Sequence, residues 1–223
     1  MDDLDILIDA GDKSHGDEVV NYLKSQGVDD LELAIGTHAH ADHIGGMPEV
    51  FEAYEVERYI DSGTVATTQI YKKVMADVAA EECLYNASPT EAIIYGNLTI
   101  QIISPGNGHK DTNDDSVIAY VTYGDTSMLF SGDASSALDG ILTSIGHVDL
   151  YEAQHHGSRT GNSAALLSAL RPDISVISYG VGNTYGHPHQ EAMQVLKQYS
   201  SQVLWTAGKS VVITSDGLNL KLK

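Results

Sequence analysis

The sequence predicts a single α/β domain, built as a sandwich of sheets and helices over residues 1–223, and three observations carry that expectation. Short β-rich runs alternate with amphipathic segments along the whole chain, the pattern of packed sheet and helix layers. The 223 residues, 42% of them hydrophobic, are enough for a sizeable core, and no Pro/Gly run, low-complexity tract or internal repeat marks a linker. Seven of the ten histidines fall in three clusters, His38/His40/His43, His155/His156 and His187/His189, each just past the carboxyl end of a predicted strand.

The elements follow in order. "LDILIDAG" (4–11) reads as a strand closed by glycine, and "GDEVVNYLKSQG" (16–27) as a helix with Val19, Val20 and Leu23 on one face and Gly27 as its stop. "LELAIGT" (31–37) is a buried strand that delivers the first histidine cluster into the next loop. A helical stretch over 66–82 precedes "LTIQIISP" (98–105), "SVIAYVTYG" (116–124) and "TSMLFSGD" (126–133), with Gly124-Asp125 joining the last two as a hairpin. The strand "HVDLYEAQ" (147–154) runs into "HHGS", a helix covers 163–171, and "ISVISYG" (174–180) runs into "GNTYGHPH". A helix over 190–199 leads to the closing strands "QVLWTAG", "SVVITS" and "LNLKL". Asp133 in "SGDAS" also lies past a strand end, where loops of an α/β sheet converge on one crevice.

Composition excludes several classes. Twelve Lys+Arg against 31 Asp+Glu give a net charge of -19, which argues against binding long nucleic acid through a basic face. Most of the excess carboxylates read as a solvated surface. The single Cys83 excludes an internal disulfide framework and a thiolate zinc site, so any metal is held by His and carboxylate. No run is long enough to span a membrane, and "MDDLDILIDAG" has neither a basic n-region nor an apolar h-region. The expectation is a soluble chain whose compartment stays open between cytoplasmic and processed extracellular. Its oligomeric state is unassigned.

"THAHADHIGG" (37–46) is the densest chemistry in the chain. His38 and His40 alternate along an extended segment and can point into one site, while Asp42 and His43 turn back toward a second position. That arrangement suits two metals, since zinc and similar ions take imidazole nitrogen and carboxylate oxygen at about 2.0–2.2 Å. A carboxylate between two cations can bridge them, and Asp133 is the candidate. The bland alternative is a polar loop or a helix start capped by Asp42; three histidines and an aspartate in this order, fed by a strand and followed by Gly-Gly, argue against it.

"THAHADHIGG" resembles the H-x-H-x-D-H signature of the metallo-β-lactamase superfamily, with "LIDAGD" before it and "SGD" and "AQHHGS" after it in the expected order. "NDDSVIAYVTYGDTSMLFSGDAS", "AQHHGSRTG" and "YGHPHQEAM" resemble more narrowly the C-terminal domain of ComEC-type late-competence proteins and related phosphodiesterases, including bacterial phosphorylcholine esterases. The resemblance runs from about residue 4 to the C-terminus. It implies an αββα four-layer sandwich and two divalent metal ions, zinc first and manganese as the alternative. His38 and His40 would bind one ion, Asp42 and His43 the other, and Asp133 would bridge; Asp42 also counts among the catalytic residues. His155 would complete the second site, with His156 as the alternative, and Asp9 would orient a ligand imidazole or else cap a turn.

Two departures from the pattern matter. Many superfamily members place a histidine just before the strand leading to "GD"; here the stretch reads "HKDTNDDS", as in the ComEC-like group, which carries Asn/Asp there. Asp114 is the expected replacement among Asn113, Asp114 and Asp115, with an Asx turn as the alternative for all three and His109 a few residues earlier. Relatives also carry a strand of Gly-Gln-Gly-Asp type before "LIDAG" that this chain does not contain. The expectation is a truncated chain or a first sheet one strand short, with an open edge.

Two cations sharing a carboxylate make hydroxide available near neutral pH and stabilise charge on the attacked centre. The reading is therefore a dinuclear metal-dependent hydrolase, a phosphodiesterase by its missing third histidine. His187 would assist the leaving group or donate to a phosphoryl oxygen, and Arg159 would clamp the phosphate; the bland alternatives are a loop histidine packed by Pro188 and a surface arginine. His189 reads as the start of the following helix, and Ser158 as a cap. The charge favours a small phosphodiester, or one with a positive head group, over long DNA. An acyl hydrolase (lactamase, lactonase or thioesterase) and a non-catalytic metal-binding domain are the alternatives.

Overall fold

The computed structural model describes residues 4–223. They form two compact units: the residues up to Pro89 together with Gly106–Val117, and Thr90–Pro105 together with Ile118–Lys223.

The first unit is a four-stranded parallel sheet in the order β1 (Ile6–Ile8), β2 (Leu33–Gly36), β3 (Arg58–Asp61) and β4 (Leu84–Ala87). The register aligns Ile8 with Ile35, Ile35 with Ile60 and Ile60 with Asn86. Among the described residues β1 lies at the end of this sheet. Four helices accompany it: α1 (Gly16–Gln26), α2 (Ala41–Ile44), α3 (Met47–Ala53) and α4 (Gln69–Glu81). Gly27 ends α1 in the left-handed conformation at φ +87°, its N–H donating to the carbonyls of Leu23 and Lys24, as a residue without Cβ does at little cost. Thr68 starts α4 by accepting from the Tyr71 N–H. The core gathers Leu31, Ala34, Ile44, Met47, Val50, Tyr59 and Val74. Burial of these side chains is the main favourable contribution to folding, about 25 cal/mol per Å² of apolar surface, against the entropy of ordering the chain.

The Gly-Gly that closes the histidine motif is required sterically. A Cβ on Gly45 would meet the Ala41 carbonyl at 2.2 Å and the Lys13 nitrogen at 2.3 Å, and one on Gly46 would meet the Ala10 carbonyl at 2.4 Å. The loop after β1 therefore packs directly on the backbone that follows α2, which holds Asp9 near the motif.

The second unit centres on a seven-stranded sheet in the order β11-β10-β9-β8-β7-β6-β5. β5 (Glu91–Tyr95), β6 (Leu98–Ile103), β7 (Ile118–Tyr123) and β8 (Thr126–Phe130) form an antiparallel meander. β8, β9 (Leu150–Glu152), β10 (Ile174–Ile177) and β11 (Gln202–Trp205) are parallel. The helices are α5 (Asp139–Leu142), α6 (Ala164–Leu170, capped by Ser163) and α7 (Gln190–Tyr199). β12 (Ile213–Ser215) and β13 (Leu220–Leu222) pair as a separate ribbon. Ile118, Leu129, Tyr151, Leu166, Leu167, Ile177 and Leu196 form the core. Parallel pairing places the carboxyl ends of β8, β9 and β10 on one edge, the place where such sheets collect functional groups.

The expected helices over 66–82, 163–171 and 190–199 form as α4, α6 and α7, and the Gly124-Asp125 hairpin forms with Tyr123 opposite Thr126. β3, β4, β5 and α3 lie in stretches that the hydrophobic pattern leaves unassigned. Among the described residues no helix is long and apolar enough to cross a membrane.

Candidate functional site

In the first unit the motif begins where β2 ends. Thr37 is buried and His38 is 1% exposed, while the chain turns at His40 into α2, which carries Asp42 on its exposed side and His43 inside. The His38 ring centroid lies 4.5 Å from that of His40 and 4.2 Å from that of His43, so the three imidazoles form one group.

Asp9, just past β1 and at φ +59°, holds this group from below. Its Oδ2 lies 2.6 Å from His43 Nδ1 and accepts from Thr37 Oγ1 at 2.8 Å, and its Oδ1 accepts from the Thr37 N–H at 2.7 Å. Burial alone would raise the Asp9 pKa, but the adjacent His43 and the Thr37 N–H outweigh it and hold the carboxyl below the usual range. With a carboxylate accepting at Nδ1, the proton of a neutral His43 sits there and Nε2 carries the lone pair, the orientation of a metal-binding imidazole.

The "HKDTNDDS" stretch divides its acidic residues by role. Asp115 is fully buried and committed to the loop: Oδ1 accepts from the His109 N–H at 3.0 Å and lies 2.7 Å from His109 Nδ1, and Oδ2 accepts from Thr64 Oγ1 at 2.6 Å. His109 is thereby turned onto Asp115. The side chain that caps this turn is Asp111, which accepts from the Asn113 N–H. Asp114 lines a cavity of about 730 Å³ with His109, Lys110, Asp111 and Thr112, and Thr112 Oγ1 lies 3.0 Å from His40 Nε2.

In the second unit Asp133 follows β8 and the two histidines follow β9. His155 Nε2 lies 3.4 Å from Asp133 Oδ2, and His156 Nε2 lies 3.5 Å from Asp133 Oδ1. Both histidines adopt the left-handed conformation, φ +49° and +55°, which costs side-chain-bearing residues about 1–3 kcal/mol each and marks a constrained site. The His155 N–H donates to the Gly132 carbonyl at 3.0 Å, tying the two strand ends together. His156 Nδ1 lies 2.8 Å from the Ser178 carbonyl. A carbonyl only accepts, so Nδ1 carries the proton and Nε2 is the lone-pair atom facing Asp133.

His187 completes this group, its ring 5.4 Å from His155 and 4.8 Å from His189, with Tyr185 stacked on it at 5.8 Å. Burial and the neighbouring His155, His189 and His156 push its pKa down to about 4. Asn183 fixes the loop, its Oδ1 accepting from the His187 N–H and its Nδ2 donating to the His187 carbonyl. His189 stands at the start of α7, and its Nδ1 accepts from the Arg159 N–H at 3.2 Å. The Arg159 side chain is exposed. Ser158 caps its own loop by accepting from the Thr160 N–H. Thr37, Thr112, the Ser178 carbonyl and Tyr185 are the participants that spacing does not reveal. Thr37, Thr112 and Tyr185 lie within or beside the quoted motifs, whereas the Ser178 carbonyl has no local signal.

The donor chemistry fits divalent metals. Imidazole nitrogens are fixed by a carboxylate or a carbonyl on the opposite ring atom, carboxylates lie among them, and no thiolate is involved. The match to known proteins agrees. The Metallo-beta-lactamase superfamily model matches residues 2–70. Recombination protein 2 of Haemophilus influenzae is 31% identical over 209 residues, covering 91% of this chain and 25% of that protein. ComE operon protein 3 of Bacillus subtilis is 26% identical over 223 residues, covering 90% of this chain and 29% of that protein. The chain thus spans between a quarter and a third of these relatives' length. Among solved structures, the metallo-β-lactamase fold protein YhfI from Bacillus subtilis superposes with a TM-score of 0.54 at 15% identity, over 92% of this chain and 84% of that one. The chain carries a metallo-β-lactamase superfamily domain, has that superfamily's α/β fold, and resembles the ComEC-type proteins within it.

Proposed function

We propose that this metallo-β-lactamase superfamily hydrolase is a phosphodiesterase that works with two divalent metal ions, zinc first and manganese as the alternative. Its candidate ligands are His38, His40, Asp42, His43, Asp114, Asp133 and one of the His155/His156 pair. Between those two histidines the Ser178 carbonyl on His156 Nδ1 favours His156, where the family resemblance puts His155 first. When bound, such ions supply a nucleophile from water at neutral pH and stabilise charge on the attacked centre.

The observation that carries the phosphodiester reading is the "HKDTNDDS" loop. Where acyl hydrolases of the superfamily put a third imidazole, this chain offers Asp114 beside an open cavity, and the imidazole of the loop itself, His109, is held on Asp115. The name of one relative, which refers to recombination, fits a phosphodiester substrate. The net charge of -19 favours a small phosphodiester over a long polyanion. His187, whose pKa is pushed down to about 4, is neutral at pH 7 and would donate a hydrogen bond to the phosphoryl or leaving-group oxygen, and the exposed Arg159 would supply a cation for the phosphate charge.

The test is elemental analysis of protein purified without chelator, paired with hydrolysis of bis(p-nitrophenyl) phosphate and of acyl esters under added zinc or manganese. Metal-dependent phosphodiester turnover and at least two ions per chain are expected, and Asp133→Asn should lose the turnover together with about two of those ions. Turnover of acyl esters alone, or tight metal with no turnover, overturns the assignment.

A further inference from the structure

We propose that the second unit carries a separate cation site formed by His147, Asp149 and Asp173. It lies at the amino-terminal edge of the parallel strands, whereas the histidine sets described above follow carboxyl ends. His147 and Asp149 precede β9 and Asp173 precedes β10. These two strands are adjacent, with Leu150 opposite Ile174, so the register places Asp149 and Asp173 side by side. One ligand atom from each of the three residues falls within 4.8 Å of the others, and His147 Nε2 lies 3.8 Å from Asp149 Oδ1.

Two of the three groups are aimed by partners outside the set. The Arg171 carbonyl lies 3.1 Å from His147 Nδ1. Because a carbonyl only accepts, it holds the Nδ1 proton and leaves the Nε2 lone pair on the side of Asp149 and Asp173, free to bind a cation. Asp149 Oδ2 accepts from the Ser127 N–H at 2.7 Å and from Ser127 Oγ at 2.8 Å, so the carboxylate cannot rotate freely and Oδ1 stays turned to His147. A groove of about 560 Å³, lined by Asp149, Asp173, Ser201, Gln202 and Asn219 among others, leaves room for water to complete a coordination shell.

One imidazole and two carboxylates suit a borderline divalent ion such as Zn²⁺, Ni²⁺ or Mn²⁺ better than Ca²⁺, which takes six to eight oxygens. An ion there would offset the repulsion of two neighbouring carboxylates in a strongly acidic chain and would tie the segment entering β9 to the segment entering β10. Its role is structural, and it is independent of the hydrolase assignment.

The experiment is Zn²⁺ titration by calorimetry, with elemental analysis after dialysis, on the wild-type chain, His147→Ala, Asp173→Asn and Asp133→Asn. His147→Ala and Asp173→Asn are expected each to lose one zinc equivalent while keeping phosphodiester turnover. Asp133→Asn is expected to lose the catalytic equivalents and retain this one, with zinc-dependent slowing of amide exchange at 147–150 and 172–174. Unchanged stoichiometry and affinity in His147→Ala and Asp173→Asn, or no zinc bound by Asp133→Asn, overturns the proposal. Absence of turnover with this equivalent still present overturns only the hydrolase reading.

Discussion

Replacing Asp9 by Asn changes one atom and no volume, yet Asp9 supports three groups at once. Its Oδ1 accepts from the Thr37 N–H at 2.7 Å, and its Oδ2 faces both Thr37 Oγ1 at 2.8 Å and His43 Nδ1 at 2.6 Å. An asparagine that keeps its oxygen on the Thr37 N–H turns an NH₂ toward Thr37 Oγ1 and His43. The hydroxyl can reverse and accept, but His43 Nδ1 must then give up its proton, which moves to Nε2 and removes the lone pair that would bind metal. Hydrogen bonds to a charged group are worth about 1.5–3 kcal/mol, so metal-free Asp9→Asn should lose that much stability in urea unfolding. Loss of the group that orients a ligand imidazole typically costs about 10–100-fold in metal affinity, or roughly 1.4–2.7 kcal/mol. Zinc competition against a chromogenic chelator reads the second number. Unchanged affinity in a destabilised variant would show that Asp9 props the fold but not a ligand, and unchanged values of both would refute the reasoning outright.

Three further outcomes follow from the same geometry. Tyr151 is fully buried, its hydroxyl donating to Asn162 Oδ1 at 3.0 Å and accepting from the Gln154 N–H at 3.2 Å; Tyr151→Phe leaves both unpaired and should cost about 1–3 kcal/mol in urea unfolding. His187→Ala should retain its metal and lose roughly 10²–10⁴ in phosphodiester turnover, and loss of metal instead would make His187 a ligand. Burial would raise the Asp115 pKa, but Thr64, His109 and Gly108 together lower it. A lowered folded pKa gives stability that is present above about pH 4, the unfolded value, and is lost as pH falls through the folded one. The stability gap between wild type and Asp115→Asn should therefore hold from pH 8 to 5 and shrink at pH 3; a gap that grows in acid would reverse the sign.

The sequence by itself determined where the candidate metal-binding side chains concentrate. Imidazole and carboxylate are the groups that hold divalent ions where no thiolate is involved, and His38-x-His40-x-Asp42-His43, Asp133 and His155-His156 show them openly in one dimension. Punctuation was equally legible at Gly27 and Gly124-Asp125, where local backbone sterics decide the conformation. β3 and β4 were not legible, because "RYID" and "LYNA" are four residues long and owe their strand state to parallel neighbours far away in the chain. β5 had a signal that hydrophobic alternation does not register, the Gly96-Asn97 pair that sets Tyr95 opposite Leu98. The return of Gly106–Val117 to the first unit after the β5–β6 hairpin leaves no linker to find.

Only the tertiary structure decided the partners. It committed Asp115 to Thr64 and His109, put the Ser178 carbonyl behind His156, and set Asp149 beside Asp173. Each of these choices depends on strand register and loop closure between segments distant in sequence, and no spacing rule contains them.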